Sequence, residues 1–158
     1  MPRPDPVAPW RADAVKAAAL LLVVLASRLA ALPASIWEQD EAWLALGAVR
    51  FDPAAQLPQP PWSPLWLAVG RIGQLLGLEA TRALQLASLA CGVALLLPLA
   101  ALWEGLLNRG RRTLAAALFL ATPAAWLSAG RALTETPATL ALAAMCVAIG
   151  GVPLNPRK

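Results

Sequence analysis

Histidine and tyrosine are absent from this 158-residue chain, and charged residues make up only 14% of it. The lack of histidine excludes His-based general acids and bases, His metal sites, and catalytic arrangements of the Ser-His-Asp or Cys-His kind. Glycine-rich phosphate loops of the P-loop or dinucleotide-binding type are also missing. Any proton abstraction by this chain must therefore fall to a carboxylate.

Cysteine is scarce as well, since Cys91 and Cys146 are the only two. Each lies in the middle of a long apolar segment, at a similar depth from the segment's outer end. Contact between the two is conceivable, but small apolar residues packed between helices are the favoured interpretation. We therefore assign these thiols no chemical role.

Apolar residues dominate the chain, at 59% of its length, whereas about a quarter of the residues of soluble domains are charged. A helix needs about 20 apolar residues to cross the hydrocarbon core of a bilayer, and lipid favours helices because it offers backbone groups no hydrogen-bond partners. The sequence predicts an all-α integral membrane protein. Its membrane domain, 17–152, contains four transmembrane helices, at about 17–37, 83–103, 113–130 and 136–152.

The distribution of Lys and Arg predicts the orientation of these spans. With the N-terminus in the cytoplasm, eight of the 13 basic residues lie inside and four outside, and Arg28 lies within the first span. The positive-inside rule favours this topology, with a cytoplasmic tail at 1–16, an outer loop at 38–82 and a cytoplasmic end at 153–158. A cleaved signal peptide is the competing interpretation of the first span, and Arg28 argues against it.

The net charge of +4 follows from this membrane topology and does not require a nucleic-acid partner. We expect membrane lipid to be the main surrounding of the chain. Its richness in Ala, Leu, Arg and Pro is typical of a GC-rich bacterial genome. The composition therefore indicates the bacterial cytoplasmic (inner) membrane as the location, with the chain crossing it several times.

The outer loop 38–82 is too long for a simple connection, because structureless loops above about 12–15 residues are uncommon in compact domains. Its sequence predicts two short helices separated by a proline-rich turn. Ser63 as N-cap and Pro64 at the first helical position begin the second of them, and Gly77 ends it. Both are predicted to be amphipathic juxtamembrane helices at the outer interface. The alternative, that 62–78 enters the bilayer, is disfavoured by Arg71.

Three of the acidic residues predicted to lie at the outer surface are candidates for a functional site. Asp40 and Glu41 follow the first span, and Glu135 precedes the last one. A structural role is open for each: Asp40 suits a helix N-cap, and Glu135 suits an ion pair with Arg131. Arg28 lies nine residues, or roughly 13 Å, before the expected end of its span at Trp37. Charges at such depth usually face a polar cavity or the interior of a helix bundle.

Three stretches carry a resemblance to a known family: Trp37-Glu38-Gln39-Asp40-Glu41-Ala42, then Gln59-Pro60-Pro61-Trp62-Ser63-Pro64-Leu65-Trp66, and Arg131-Ala132-Leu133-Thr134-Glu135-Thr136-Pro137. Their order resembles the amino-terminal portion of GT-C membrane glycosyltransferases, notably the protein O-mannosyltransferase and aminoarabinose-transferase-like branch. Such enzymes transfer a sugar from a polyprenyl-phosphate carrier to an extracytoplasmic acceptor.

The resemblance implies roles for particular residues. Asp40 would be the catalytic base, Glu41 its neighbour and Glu135 the acid of the second outer loop. The leaving phosphate would be stabilised by an arginine or by a divalent cation, and Arg131 is the candidate arginine. We take Arg28 and Trp62 as further substrate-binding candidates. No protein ligand set for a metal is assigned.

Two functions follow as expectations. The first is a glycosyltransferase module that uses a polyprenyl-phosphate sugar donor and is enzymatic when a second chain supplies the remaining spans of such an enzyme. The second is a small four-span membrane protein without catalytic activity, acting as a lipid-binding or assembly subunit. Replacing Asp40 and Glu135 by their amides distinguishes the two, because only the first function needs those carboxylates.

Overall fold

The computed structural model describes residues 8–58, 63–103 and 109–150. All regular elements in these ranges are helical, which confirms the prediction of an all-α chain. A 3-10 turn at Pro53–Ala55 lies between the second and third helices. The helices are α1 (Ala8–Ala30), α2 (Gln39–Val49), α3 (Pro64–Leu75), α4 (Ala80–Ala94), α5 (Leu96–Leu102), α6 (Arg109–Leu120), α7 (Pro123–Ser128) and α8 (Glu135–Gly150).

One helix in the described ranges is long and apolar enough to cross a membrane. It is Ala80–Leu102, which joins α4 and α5 over 23 residues and coincides closely with the predicted span 83–103. The apolar parts of α1 and α8 that the structure describes are shorter, at Ala18–Ala30 and Glu135–Ile149. Length and composition thus support one span among the described helices.

The first helix ends earlier than its predicted span. α1 stops at Ala30, whereas the sequence predicted helix as far as Trp37. Pro33 accounts for the difference, because the residue before a proline is pushed out of the helical region and helices usually end there or earlier. Arg28 therefore lies in the last turn of α1. This position is nearer to a helix end than the predicted span 17–37 gave it.

Proline also divides the predicted span 113–130 into two helices. α6 ends at Leu120 and α7 begins at Pro123, after Thr122 in extended conformation. Pro123 has no backbone N–H and its ring clashes with the preceding helical turn, which favours the break seen here. At the end of α7, Ser128 contacts α4, where the Ser88 hydroxyl donates to the Ser128 carbonyl at 3.3 Å.

The predicted limits of α3 are confirmed. Ser63 occupies the N-cap position and Pro64 the first turn. After Leu75 the chain reaches Gly77 with a φ of +84°, a left-handed conformation that glycine adopts without a Cβ clash. The Leu78 N–H then donates to the Gly73 carbonyl at 3.0 Å, which closes the helix end.

Helices α2, α3 and α4 pack together around an apolar core that also includes the loop before α8. α3 approaches α4 so closely that a Cβ at Gly73 would lie 2.1 Å from the Cβ of Ala83. The predicted juxtamembrane helices α2 and α3 therefore share a packed core with α4. The members of this core are Leu44, Trp66, Leu67, Leu84, Ala132 and Leu133.

A second core lies between α5, α6 and α8, with α1 packed beside it. Small residues of α6 and α8 allow the helices to approach closely. The two cores meet along α4–α5, so the helix 80–102 is the common support of the fold. The buried members of this second core are Leu95, Leu96, Ala116, Ala117, Leu120 and Ala143.

Candidate functional site

Glu41 is fully buried in the first turn of α2, with 0% of its surface exposed. Its Oε2 accepts the Trp37 N–H at 3.0 Å. Its Oε1 accepts the Ala132 N–H and the Arg131 Nε–H, both at 3.2 Å. Both oxygens are thus engaged by donors from two separate segments. The carboxylate ties the start of α2 to the loop before α8, and it has little freedom to take a proton from a substrate.

Arg131 joins two acids of the α2 region. Besides the contact with Glu41, its Nη1 lies 2.6 Å from Oε1 of Glu38. Burial alone would lower the pKa of Arg131, but the hydrogen bonds and negative charges of Glu38 and Glu41 outweigh it and raise that pKa above its usual value. Arg131 is therefore a fixed cation, and the ion pair with Glu135 that was considered as a structural alternative is not formed in the described ranges.

Asp40 lies next to this ion-pair cluster with its side chain exposed. The N-cap position of α2 belongs to Glu38, so Asp40 does not take the capping role considered as its alternative. No hydrogen bond or ion pair joins its carboxylate to another residue in the part of the chain that the structure describes. Asp40 is a free carboxylate on a helix turn that Glu41 holds in place.

Among the described residues, Arg28 is the largest side chain that is buried completely, with 1% exposed. Its Nη2 donates to the carbonyls of Leu120 at 2.9 Å and Ala125 at 3.3 Å. These are free carbonyls at the end of α6 and in α7, made accessible by the break before Pro123. Nε and Nη1 of Arg28 are buried without a hydrogen-bond partner in the described ranges. No carboxylate there forms an ion pair with it.

Glu135 and Arg28 line one cavity of about 270 Å³ between α1, α4, α7 and α8. Its floor includes Gly92, where a Cβ would lie 2.5 Å from Nη1 of Arg28. Its exposed rim includes Glu135 and Thr139, whose hydroxyl donates to the Glu135 carbonyl at 2.7 Å. The structure thus brings together two residues that the sequence treated separately, although they do not form an ion pair.

A smaller and more enclosed cavity of about 50 Å³ lies on another side of Arg28. Arg28 and Arg131 both line it, together with Trp37 and Trp126. Nη2 of Arg131, like Nε and Nη1 of Arg28, is buried without a partner in the described part of the chain. This two-arginine cavity therefore connects the Glu41 ion-pair cluster with the buried arginine of α1.

Some predicted site residues stand apart from these cavities. Trp62 lies outside the described residues. Arg71, considered as an obstacle to membrane insertion, is exposed and donates from Nη1 to the Val49 carbonyl at 2.9 Å, so it closes the end of α2.

Cys91 and Cys146 are both free thiols. No group of three or more potential metal ligands occurs in residues 8–58, 63–103 and 109–150.

Sequence reasoning missed a polar group that holds the connection from α1 to α2. Gln85 is buried in α4, and its Nε2 donates to the Pro33 carbonyl at 3.4 Å. Nη1 of Arg82 also reaches this carbonyl, at 3.3 Å, and donates to Oε1 of Gln85 at 3.0 Å. The sequence did contain a signal for this contact: Gln85 lies in a charge-free apolar run, and a buried amide needs a hydrogen-bond partner.

Comparison of the chain with protein-family models, with curated proteins and with solved structures finds no match.

Proposed function

We propose that this chain is a module of a membrane glycosyltransferase that moves a sugar from a polyprenyl-phosphate carrier to an acceptor outside the cytoplasmic membrane. The observation that carries the proposal is the free carboxylate of Asp40 on a turn fixed by Glu41 and Arg131. A catalytic base needs both an accessible carboxylate and a defined position. The resemblance of the sequence to GT-C enzymes supplies the reaction class.

The exposed surface supports the membrane part of the proposal. Large apolar side chains point outward from helices at several places around the fold, and contiguous apolar surface is typical of membrane contact. On α3 the exposed fractions of Leu65 and Leu75 reach 81% and 80%. Outward apolar residues on the helices of the other proposed spans are Leu22, Val23, Leu114, Leu118, Leu142, Met145 and Ile149.

In the proposed topology α1, α4–α5, α6–α7 and α8 cross or enter the bilayer, and the N-terminus is cytoplasmic. α2 and α3 then lie at the outer surface, packed against the outer half of α4. α3 buries one side, including Trp66, and exposes an apolar side to the lipid boundary. This arrangement keeps the predicted interfacial position of α3 and adds a packed contact with α4.

The proposed reaction assigns different work to the two adjacent acids. Asp40 accepts the proton of an acceptor hydroxyl while the oxygen of that hydroxyl bonds to the anomeric carbon of the sugar. The bond from that carbon to the phosphate oxygen breaks, and the polyprenyl phosphate leaves with the electron pair as an anion. Glu41 takes no part in the proton transfer, because its two oxygens already accept three N–H groups. It positions Asp40.

Replacement of Asp40 by Asn tests the proposal. The test measures sugar incorporation into the extracytoplasmic acceptor by membranes of cells that express the full chain in its native genomic context. We expect Asp40→Asn to lower the transfer rate by about 10²–10⁴-fold, the usual contribution of a general base. Glu79→Gln is the matched control, because Glu79 is also an exposed carboxylate at a helix start without a side-chain cap bond.

The thermal unfolding midpoint of each variant is measured beside its transfer rate. Loss of transfer in Asp40→Asn with an unchanged midpoint, and wild-type transfer in Glu79→Gln, supports the proposal. Wild-type transfer by Asp40→Asn would refute the role of Asp40 and favour the non-catalytic lipid-binding or assembly subunit.

The proposed topology has its own test. In a chain with Cys91 and Cys146 replaced by alanine, single cysteines are introduced as Asp40→Cys and Glu135→Cys. Both sites are exposed, so a membrane-impermeant maleimide should label them in intact cells. Labelling that appears only after the membrane is permeabilised would place both acids in the cytoplasm and overturn the topology.

A further inference from the structure

The linker from α1 to α2, residues 31–38, has no regular secondary structure and leads directly to the turn that carries Asp40. Its second half, 34–38, is exposed, so burial of apolar surface contributes little to holding it. Hydrogen bonds hold the linker at two points instead. Near its start the Pro33 carbonyl accepts two N–H groups from α4, and near its end the Trp37 N–H donates to Glu41. The position of the Asp40 turn therefore depends on polar contacts.

Gln85 is the central member of the contact at Pro33. Its Nε2 donates to the Pro33 carbonyl at 3.4 Å. Its Oε1 accepts an N–H of Arg82 Nη1 at 3.0 Å, and the same Nη1 reaches the Pro33 carbonyl at 3.3 Å. Gln85 thus holds the linker directly and also holds the second donor in place. Without Gln85, the half-buried Arg82 side chain is free to turn toward solvent.

Glutamine at this position is not explained by the stability of α4 alone. Gln85 has 1% of its surface exposed and lies in an otherwise largely apolar helix. A buried amide contributes a small net gain when it is paired and is costly when it is not, whereas an apolar side chain of similar size carries no such risk. The amide adds direction, because its donor and acceptor fit one arrangement of the linker. Buried polar groups can fix one arrangement among several of similar energy.

The opposite side of the Glu41 cluster is attached to the same helix one turn further on. The Ser88 hydroxyl donates to the Ser128 carbonyl at 3.3 Å, and the loop that follows carries Arg131. Gln85 and Ser88 are three residues apart, so they share one face of α4. This face therefore binds both segments that meet at Glu41, and it sets the distance between them.

We infer that Gln85 is a positioning residue for Asp40. Through the Pro33 carbonyl it fixes the linker, and the linker and Glu41 together fix the turn of α2 that carries the base. Gln85 itself is buried and takes no part in the proton transfer. The inference rests on the proposed function, because the position of Asp40 matters for catalysis only if Asp40 is the base. A displacement of about 1 Å in a catalytic group can lower a rate about 10²-fold.

A distance measurement tests the position of Asp40 without an assay of activity. Cys91 and Cys146 are replaced by alanine, and nitroxide spin labels are attached at Asp40→Cys and Glu135→Cys, which are both exposed sites. The full chain is purified in neutral detergent, and pulsed electron resonance gives the distribution of distances between the labels. We expect one narrow distribution in this background. Adding Gln85→Met should broaden or shift it, because methionine is flexible, similar in size and has no N–H donor.

The transfer assay used for Asp40→Asn tests the catalytic consequence. Gln85→Met should lower the transfer rate by about 10–100-fold, while its thermal midpoint falls by only about 1–6 °C, the usual effect of losing one hydrogen bond. Leu96→Ala is the control for lost stability, because Leu96 is buried in the second core. Its midpoint should fall by about 4–20 °C. Measured below that midpoint, its distance distribution and transfer rate should equal those of the wild type.

The outcomes separate this inference from the proposed function. Altered distances and slower transfer in Gln85→Met, without either change in Leu96→Ala, support the positioning role. A wild-type distribution in Gln85→Met overturns it, as does an equal change in Leu96→Ala or wild-type transfer in Gln85→Met despite altered distances. The proposed function fails differently, through wild-type transfer in Asp40→Asn itself. Loss of transfer in Asp40→Asn with wild-type distances in Gln85→Met would keep the proposed function and reject only the positioning role.

Discussion

Glu41→Gln provides the sharpest test of how the candidate site is held together. The substitution keeps the size of the side chain and removes its charge. One glutamine atom is an N–H₂ donor, so either the Trp37 N–H or the pair formed by the Ala132 N–H and Arg131 Nε–H faces another donor. Whichever way the amide turns, at least one buried hydrogen bond is lost, and Arg131 loses one of its two acidic partners.

The magnitude follows from the burial of Glu41. Breaking a buried ion pair by removing one partner costs about 3–5 kcal/mol, out of a total of about 5–15 kcal/mol for a whole domain. In a chain of this length, 1 kcal/mol shifts the thermal midpoint by about 2–4 °C. We therefore expect the midpoint of Glu41→Gln, measured by circular dichroism in neutral detergent, to fall by roughly 6–20 °C.

Asp40→Asn is the matched control in this experiment, because it makes the same chemical change one residue earlier at an exposed position. Surface substitutions away from specific contacts usually stay within about 0.5 kcal/mol, so its midpoint should equal that of the wild type. The reasoning is refuted if Glu41→Gln melts within about 2 °C of the wild type. It is equally refuted if Asp40→Asn is destabilised as much as Glu41→Gln.

Three smaller predictions concern the packing of α3. Gly73→Ala should destabilise the fold by about 1–3 kcal/mol through overpacking, because its Cβ would lie 2.1 Å from the Cβ of Ala83. Gly77→Ala has open space but a φ of +84°, so a cost of only about 1–2 kcal/mol is expected. Trp66→Phe removes the buried bond from Nε1 to the Ala132 carbonyl, at 3.0 Å, and should cost about 1–3 kcal/mol. Thermal unfolding checks all three, and wild-type midpoints in Gly73→Ala and Trp66→Phe would contradict the described contacts.

Local signals in the sequence predicted local features well. The limits of α3 follow from Ser63, Pro64 and Gly77, because capping, first-turn proline and left-handed glycine each act within a few residues. The predicted span 83–103 agrees with Ala80–Leu102 because this run carries no charge, although Pro98 lies within it and α4 and α5 are divided at Leu95.

Prolines were underestimated where the apolar run continued past them. Pro33 ends α1 early and Pro123 separates α6 from α7, although hydrophobicity alone is continuous at both places. Composition measures the cost of placing a residue in lipid, whereas proline changes which backbone hydrogen bonds can form. These two properties are independent, so the hydrophobicity of a segment does not show where a proline ends its helix.

Roles of individual acids were the least predictable part. Asp40 and Glu41 are adjacent and chemically similar, yet one is exposed and the other has 0% of its surface accessible. The difference arises from Arg131, which lies 90 residues away in sequence from Glu41. No local pattern states that this arginine pairs with Glu38 and Glu41 in preference to Glu135, because the pairing depends on how α4 and α7 place the loop.

The sequence separation between Glu41 and Arg131 has a consequence for synthesis of the chain. Ribosomes add about 5–20 residues per second, so Arg131 emerges roughly 5–20 s after Glu41. During that interval the nascent chain contains Glu41 but not Arg131, its ion-pair partner in the folded structure. The acid must stay in contact with water until the later segment arrives, which delays docking of α2 onto its neighbours. Assembly of this region is therefore tied to the completion of translation of the α7–α8 loop.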